Sequence, residues 1–354
     1  MDKFGFLIHP LDMRDVIRVE PKAAGKREAV VEKILEWMPP SKVSHITGIK
    51  SSTGAQCEGY FIAVPLMPSQ FLTLDRKYVY SKIVQAGKIA EELGVKILGL
   101  GGFTSVVGDA GITVSKQLSI PVTSGNSFTI ATAIMATVRA AEILNIDLSN
   151  STCAIVGATG SIGNVCAQIL ADKVKNMVLI SRNLHKLKKT AELIEGYKNL
   201  NLSINTDISL GLKDADIIIS ASSSTGGIIK PDFIKKGALI CDVALPHDVC
   251  REVSVLRPDV LVLEGGLVEI PGDVNFNYDF GFPPKISLAC MAETILLTLE
   301  GKFENFSLGR GIKIDRVEEI TRISKKHGFK LAGFRSFERT ITQEKINEVL
   351  SYTI

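Results

Sequence analysis

Residues 151–163 read Ser151-Thr-Cys-Ala-Ile-Val-Gly157-Ala-Thr-Gly160-Ser-Ile-Gly163. Cys153 to Val156 predict a short buried strand, and Val165 to Leu170 predict an apolar helix just beyond the glycines. A strand that ends in glycines and opens into a helix describes a dinucleotide site. The glycines let the backbone approach a pyrophosphate, and the helix N-terminus supplies amide N–H groups and a partial positive charge. The spacing is G-x-x-G-x-x-G, not G-x-G-x-x-G, so the strand and helix around it carry the assignment more than the pattern does. The candidate binding residues are Gly157, Ala158, Thr159, Gly160, Ser161, Ile162 and Gly163.

The next strand narrows the ligand. Asn176 to Ile180 is apolar and runs into Ser181-Arg182-Asn183. In an NAD site an acidic residue stands about 20 residues past the glycines and takes the ribose hydroxyls. Ser181 and Arg182 occupy that place here. A carboxylate repels a 2′-phosphate, whereas a guanidinium binds it through paired, charge-assisted hydrogen bonds. NADP is therefore expected over NAD. A later apolar run, Asp216 to Ser220, leads into a Ser/Gly loop, 221–227, whose Ser222 is a further candidate for the nicotinamide end.

Working outward, 354 residues suggest two domains, and 45% apolar residues suffice for sizeable cores. A net charge of +3 is too mild to imply nucleic acid or a membrane surface. The six cysteines form no C-x-x-C pair, which argues against a zinc site or a disulfide framework and fits a reducing cytoplasm. The start, MDKFGFLIHP, lacks the apolar core of a signal peptide, and the apolar stretch Phe128 to Leu144 carries Arg139 and Glu142. No integral membrane segment is expected.

Upstream of the glycine turn, strands are expected at Phe4–Ile8, 43–50, 57–65, Lys96–Leu100 and Ile120–Thr123. Helices are expected at Lys26–Trp37, Arg76–Leu93 and Phe128–Leu144. Downstream, strands at 237–242 and 260–264 alternate with helical patterns. The fold class is α/β. An N-terminal α/β substrate domain, 1–148, precedes a Rossmann-like domain with a doubly wound parallel sheet, 149–282. A C-terminal helical segment, 283–354, packs back on them.

That last segment carries Cys290, expected about two turns into a helix starting after Pro284. Helix N-termini lower thiol pKa values. A thiolate beside a nicotinamide can hold an acyl group as a thioester and present it for reduction. The bland alternative is a core cysteine on the apolar stripe of Ile286, Ala289, Glu293 and Leu297.

The chain resembles the long-chain acyl-[acyl-carrier-protein] reductases, over most of residues 1–329. The matching stretches include Phe4–His9, Leu98–Ser105, Thr123–Ser127, Gly157–Gly163, Ile180–Asn183, Gly265–Glu269, Ala289-Cys290-Met-Ala-Glu293, Asn305–Arg310 and Lys326–Phe329. The resemblance implies an enzyme that reduces a fatty acyl thioester to a fatty aldehyde with NADPH, with Cys290 holding the acyl group. It implies acyl-carrier protein or acyl-CoA as the substrate carrier. In the family a histidine stands where this chain has Phe128. The general acid is sought among His9, Lys82 and Glu269, with oxyanion donors at Gly101-Gly102 or Gly265-Gly266. Phe103, Phe128, Phe276, Phe280 and Phe282 are candidates to line an acyl channel, and Lys42, Lys50, Arg76, Lys77 and Lys82 to face an acidic carrier. Two alternatives stay open. One is a dehydrogenase acting directly on a hydroxy or amino acid, which needs a lysine–aspartate pair and no thiol. The other is a protein that binds NADP without turning it over.

Overall fold

The computed structural model describes residues 1–224, 226–337 and 339–353. They group into two compact units. The first holds residues 1–128, 268–311 and 318–330, and the second holds 129–267, 312–317 and the chain from 331 onward. The segment after residue 283 is thus shared between them.

The first unit is built on β1 (Asp2–Ile8), β2 (Ser41–Lys50), β3 (Gln56–Ala63), β4 (Ile97–Leu100) and β5 (Val122–Thr123). The strand Gly272–Asn275 joins the free edge of β2, giving the order Gly272–Asn275, β2, β3, β1, β4, β5. β2 and β3 form an antiparallel hairpin, while β1 is parallel to both β3 and β4. One face is covered by the helix Arg76–Glu92, whose Val79, Ile83, Ala86 and Ala90 pack on Leu7, Ile62 and Leu98. Each buried Val, Ile or Leu among them stabilises the fold by roughly 1.5–3 kcal/mol. That helix is started by Asp75, whose carboxylate accepts from the amides of Lys77 and Tyr78. The other face carries the helix Ala289–Leu299. Gly99 permits its close approach, because a Cβ there would lie 2.1 Å from Thr294 Oγ1.

The second unit contains β6 (Thr152–Val156), β7 (Asn176–Ile180), β8 (Asn201–Asn205), β9 (Ile217–Ser220), β10 (Leu239–Asp242) and β11 (Leu261–Glu264). Their order is β11-β10-β9-β6-β7-β8, with every neighbouring pair parallel. Counted from β6, this is the 3-2-1-4-5-6 order of a Rossmann sheet. The expected strands are present. β8 was not foreseen, because NLSIN is a polar edge strand with no apolar run.

One expectation is corrected. The helix after Pro284 does not start there. Ile286–Leu288 is a strand, and the helix begins at Ala289. Cys290 therefore lies in the first turn, not two turns in. Among the described residues, no helix is long and apolar enough to cross a membrane.

Candidate functional site

The glycine turn of the second unit is tied by backbone hydrogen bonds. Gly157 has φ +78°, and its amide and that of Ala158 both donate to the Ile180 carbonyl, at 2.9 and 3.1 Å. The Gly160 amide donates to the Gly157 carbonyl at 2.8 Å. A Cβ on Gly157 would meet the Ala221 carbonyl oxygen at 2.6 Å, and one on Gly163 would meet the Gly157 oxygen at 2.5 Å. The helix Ser161–Leu170 then opens with no side-chain cap at Gly160. Its first-turn amides have no carbonyl four residues back within the helix. Thr159, Gly160, Ser161 and Ile162 keep accessible surface, while Ala158 is buried.

At the neighbouring strand ends, Thr159 and Ser181 join through their hydroxyls at 2.9 Å. Arg182 is exposed directly after β7. Ser222 donates from its amide (3.0 Å) and its hydroxyl (2.6 Å) to the buried carboxylate of Asp248, which also takes the hydroxyls of Ser220 and Ser224. Asp248 thus shapes the loop that backs the glycine turn. Sequence inspection missed it because it lies 26 residues beyond Ser222. Thr225 of the loop lies outside the described residues. A helix N-terminus without a side-chain cap, Gly157 and Gly163 without room for a side chain and an exposed guanidinium at the next strand end fit a dinucleotide.

In the first unit, Cys290 stands at the uncapped start of Ala289–Leu299 and is half-buried. Gly125, with φ +76°, lies against it, since a Cβ there would come within 2.2 Å of Cys290 Cα and 2.3 Å of Cys290 Cβ. The backbone amides of Met291 and Cys290 at the helix start favour the thiolate. Burial outweighs them, and with the charge of Glu293 it pushes the thiol up to about 12. The expected lowering of the thiol pKa by the helix end is therefore corrected: burial of the sulfur outweighs the helix dipole.

His9 is drawn away from proton transfer. Its Nε2 accepts from the Phe103 amide at 2.9 Å, and its Nδ1 bonds to the Pro10 carbonyl at 2.9 Å. This is the neutral tautomer, and burial lowers its pKa to about 4. Its observed work is to hold the 101–103 turn. Lys82 is buried and donates to the carbonyls of Leu35 (3.2 Å) and Met38 (2.6 Å), so it neither faces solvent nor a substrate carrier. Lys42, Lys50, Arg76 and Lys77 are exposed. Glu269 is exposed at the end of the strand Leu267–Glu269. The amides of Gly101 and Gly265 already donate to Leu7 and Asp242 carbonyls, which removes both as oxyanion donors.

Of the five phenylalanines, Phe276, Phe280 and Phe282 gather with Phe61, at centroid separations of 4.8 to 6.0 Å. Phe61 neighbours Phe6 on the sheet face that carries Ala289–Leu299. Phe103 instead packs on Phe71 and His9. Phe128 is buried, and its amide donates at 2.7 Å to Glu293. Glu293 is the residue that sequence inspection passed over as part of an apolar stripe.

Known proteins agree with this geometry at the level of class. Residues 139–262 match the family Shikimate / quinate 5-dehydrogenase, and the protein is an NAD(P)-dependent oxidoreductase of the dehydrogenase and reductase type. Over 307 residues it is 32% identical to the long-chain acyl-[acyl-carrier-protein] reductase of Synechococcus elongatus, covering 82% of this chain and 87% of that one. The chain belongs to the long-chain acyl-[acyl-carrier-protein] reductase family. It is also 31% identical over 366 residues to aminotransferase PigE of a Serratia species, covering 99% of this chain but only 42% of that protein's length. The structure of L-tryptophan dehydrogenase from Nostoc punctiforme aligns over 99% of this chain and 87% of that one, at 11% identity and a TM-score of 0.42.

Proposed function

We propose that the protein reduces a long-chain acyl thioester, carried by acyl-carrier protein or coenzyme A, to the fatty aldehyde with NADPH. The observation that carries this reading is the setting of Cys290. It is a half-buried cysteine at an uncapped helix start, with the Gly125 backbone against its Cα and Cβ.

Cys290 Sγ attacks the thioester carbonyl carbon, and the carbonyl π pair moves to oxygen. As that pair returns, the bond to the carrier sulfur breaks. The departing carrier thiolate takes the proton that Cys290 gives up, which suits a cysteine that rests as a thiol. The acyl group then sits on Cys290, and the Phe61–Phe276–Phe280 aromatics on the same sheet face offer apolar surface for its chain. Gly157–Gly163 would hold the dinucleotide, which when bound would supply the hydride for the reduction. Arg182 and Ser181 would take the 2′-phosphate, and Ser222, set by Asp248, would lie at the nicotinamide end. When the S–C bond breaks, Cys290 takes back a proton and the aldehyde leaves. Overall, thioester, NADPH and one proton give aldehyde, free carrier thiol and NADP⁺. His9 holds the 101–103 turn, and Glu269 is the exposed carboxylate among the acid candidates.

Intact-protein mass tests the reading. Wild type mixed with a long-chain acyl thioester and no NADPH should gain the acyl mass and lose it when NADPH is added. Cys290→Ala should gain nothing. An unmodified wild type that still binds NADPH would sink the covalent route and favour direct hydride transfer to a carbonyl or imine.

A further inference from the structure

Among the described residues of the first unit, Glu293 is the only buried carboxylate, with no exposed surface. It lies one helical turn past Cys290. Burying a charge is costly unless hydrogen bonds replace its water. Glu293 is supplied accordingly. One oxygen takes the Thr123 hydroxyl, and the other takes the Phe128 amide at 2.7 Å. The Ser307 side chain and the Gly125 amide also favour its charged form, against the burial that raises its pKa.

All of these groups belong to one arrangement. Thr123, Gly125 and Phe128 form the turn from β5 into the helix Asn126–Ile143. Ser307 braces that turn from the far side: its Oγ meets Ser127 Oγ at 2.6 Å and accepts from the Ser127 amide, while its carbonyl accepts from the Ser124 hydroxyl. Ser307 does this from φ +53°, a conformation a serine adopts only when its surroundings hold it there. The turn so fixed presents Gly125 to Cys290 with no room for a Cβ between them. An apolar residue at 293 would fill the space without the desolvation cost, but it would leave the turn unheld.

We infer that Glu293 is the positioning residue of Cys290: its carboxylate clamps the 123–128 turn, and through Gly125 that turn fixes the thiol for attack on the acyl carbonyl. This rests on Cys290 as the acyl-bearing residue. Glu293 touches no substrate in this scheme and transfers no proton.

The test uses the full chain, Glu293→Gln and Thr123→Val, with palmitoyl-coenzyme A as acyl donor. Single-turnover acylation is followed by intact mass over a range of donor concentrations, and alkylation by iodoacetamide is followed against pH. Both variants should acylate about tenfold or more slowly at saturation, with the half-saturating concentration changed by less than about twofold, because alignment and not binding is lost. Iodoacetamide needs no aligned carbonyl, so Thr123→Val, which keeps the charge at 293, should be alkylated at the wild-type rate at each pH. Glu293→Gln alone should move the alkylation profile to lower pH, since it removes a neighbouring negative charge. If Glu293→Gln does not fold, Thr123→Val decides by the same split. Wild-type acylation rates in the variants overturn the inference, as does an equal fall in acylation and alkylation in Thr123→Val. A wild type that takes no acyl group sinks the covalent reading, and this inference with it; acylated wild type with unaffected variants sinks the inference alone.

Discussion

Two strand-to-helix turns in this protein solve opposite problems. The turn after β6, Gly157 to Gly163, is tied by backbone hydrogen bonds and leaves its helix start bare of any side-chain cap. The turn after β5, Thr123 to Phe128, is filled from within by the Glu293 carboxylate. The first has amides to offer a ligand. The second has spent its donors on its own architecture and offers a rigid wall. Glycine serves both, but at Gly157 it admits a neighbouring loop and at Gly125 it admits a reactive side chain's own backbone.

The comparison is broken most directly at Gly125. Gly125→Ala puts a Cβ into Cys290 and forces a left-handed alanine, so a loss of about 3 kcal/mol is expected, together with loss of acyl-adduct formation. Thermal unfolding and intact mass read the two effects, and a stable variant that still acylates would show that the wall is soft. In the other turn the glycines should separate. Gly163→Ala, with its Cβ 2.5 Å from the Gly157 oxygen, should cost about 1–3 kcal/mol and weaken NADPH binding. Gly160 has ordinary φ of −81° and its Cβ would stand 3.2 Å from that oxygen, so Gly160→Ala should leave stability within about 0.5 kcal/mol while still weakening NADPH. Equal effects of the two on stability would contradict an open turn. Arg182→Glu, on an exposed side chain, should leave unfolding unchanged and weaken NADPH by about 10–100-fold relative to NADH, measured by titration. No change in that ratio would remove Arg182 from the 2′-phosphate.

The smallest expected effect concerns a third turn, 101–103, held by neutral His9. Its pKa falls from 6.5 to about 4 on folding. The unfolded chain therefore binds the extra proton first, so this contribution is fully present above pH 6.5 and is lost as pH falls toward 4. His9→Gln should flatten stability against pH in that window. An unchanged slope would mean that the imidazole is charged in the folded protein.

What could be read in the sequence was what is local. The Cys153–Val156 run, its glycines and the strand ending at Ser181-Arg182 specify a Rossmann unit because each signal lies within a few residues of the next. The clamp on Cys290 is not local. Glu293 meets its partners across 165 and 170 residues, and on a helical wheel it looks like one more position of a buried stripe. The register of Cys290 was misjudged for a local reason: Pro283-Pro284 resembles a helix start, but Ile286–Leu288 stays extended. His9 and Lys82 looked like proton donors in isolation, and only their carbonyl and amide partners show otherwise. Edge strands such as β8 and Gly272–Asn275 escape because one exposed edge relieves the need for apolar residues.

The first unit is discontinuous in the chain, and that has a consequence during synthesis. β1 to β5 emerge from the ribosome early, yet the helix that covers Phe6 and Gly99, and the strand that closes the edge of β2, lie after residue 267. At about 5–20 residues per second, the nascent sheet waits on the order of ten seconds or more with one apolar face uncovered, while the contiguous β6–β11 sheet is completed behind it. A stalled chain whose residues up to Leu267 have cleared the ribosome should therefore carry a complete β6–β11 sheet and a half-covered first sheet that recruits chaperones, and emergence of Leu299 should release them.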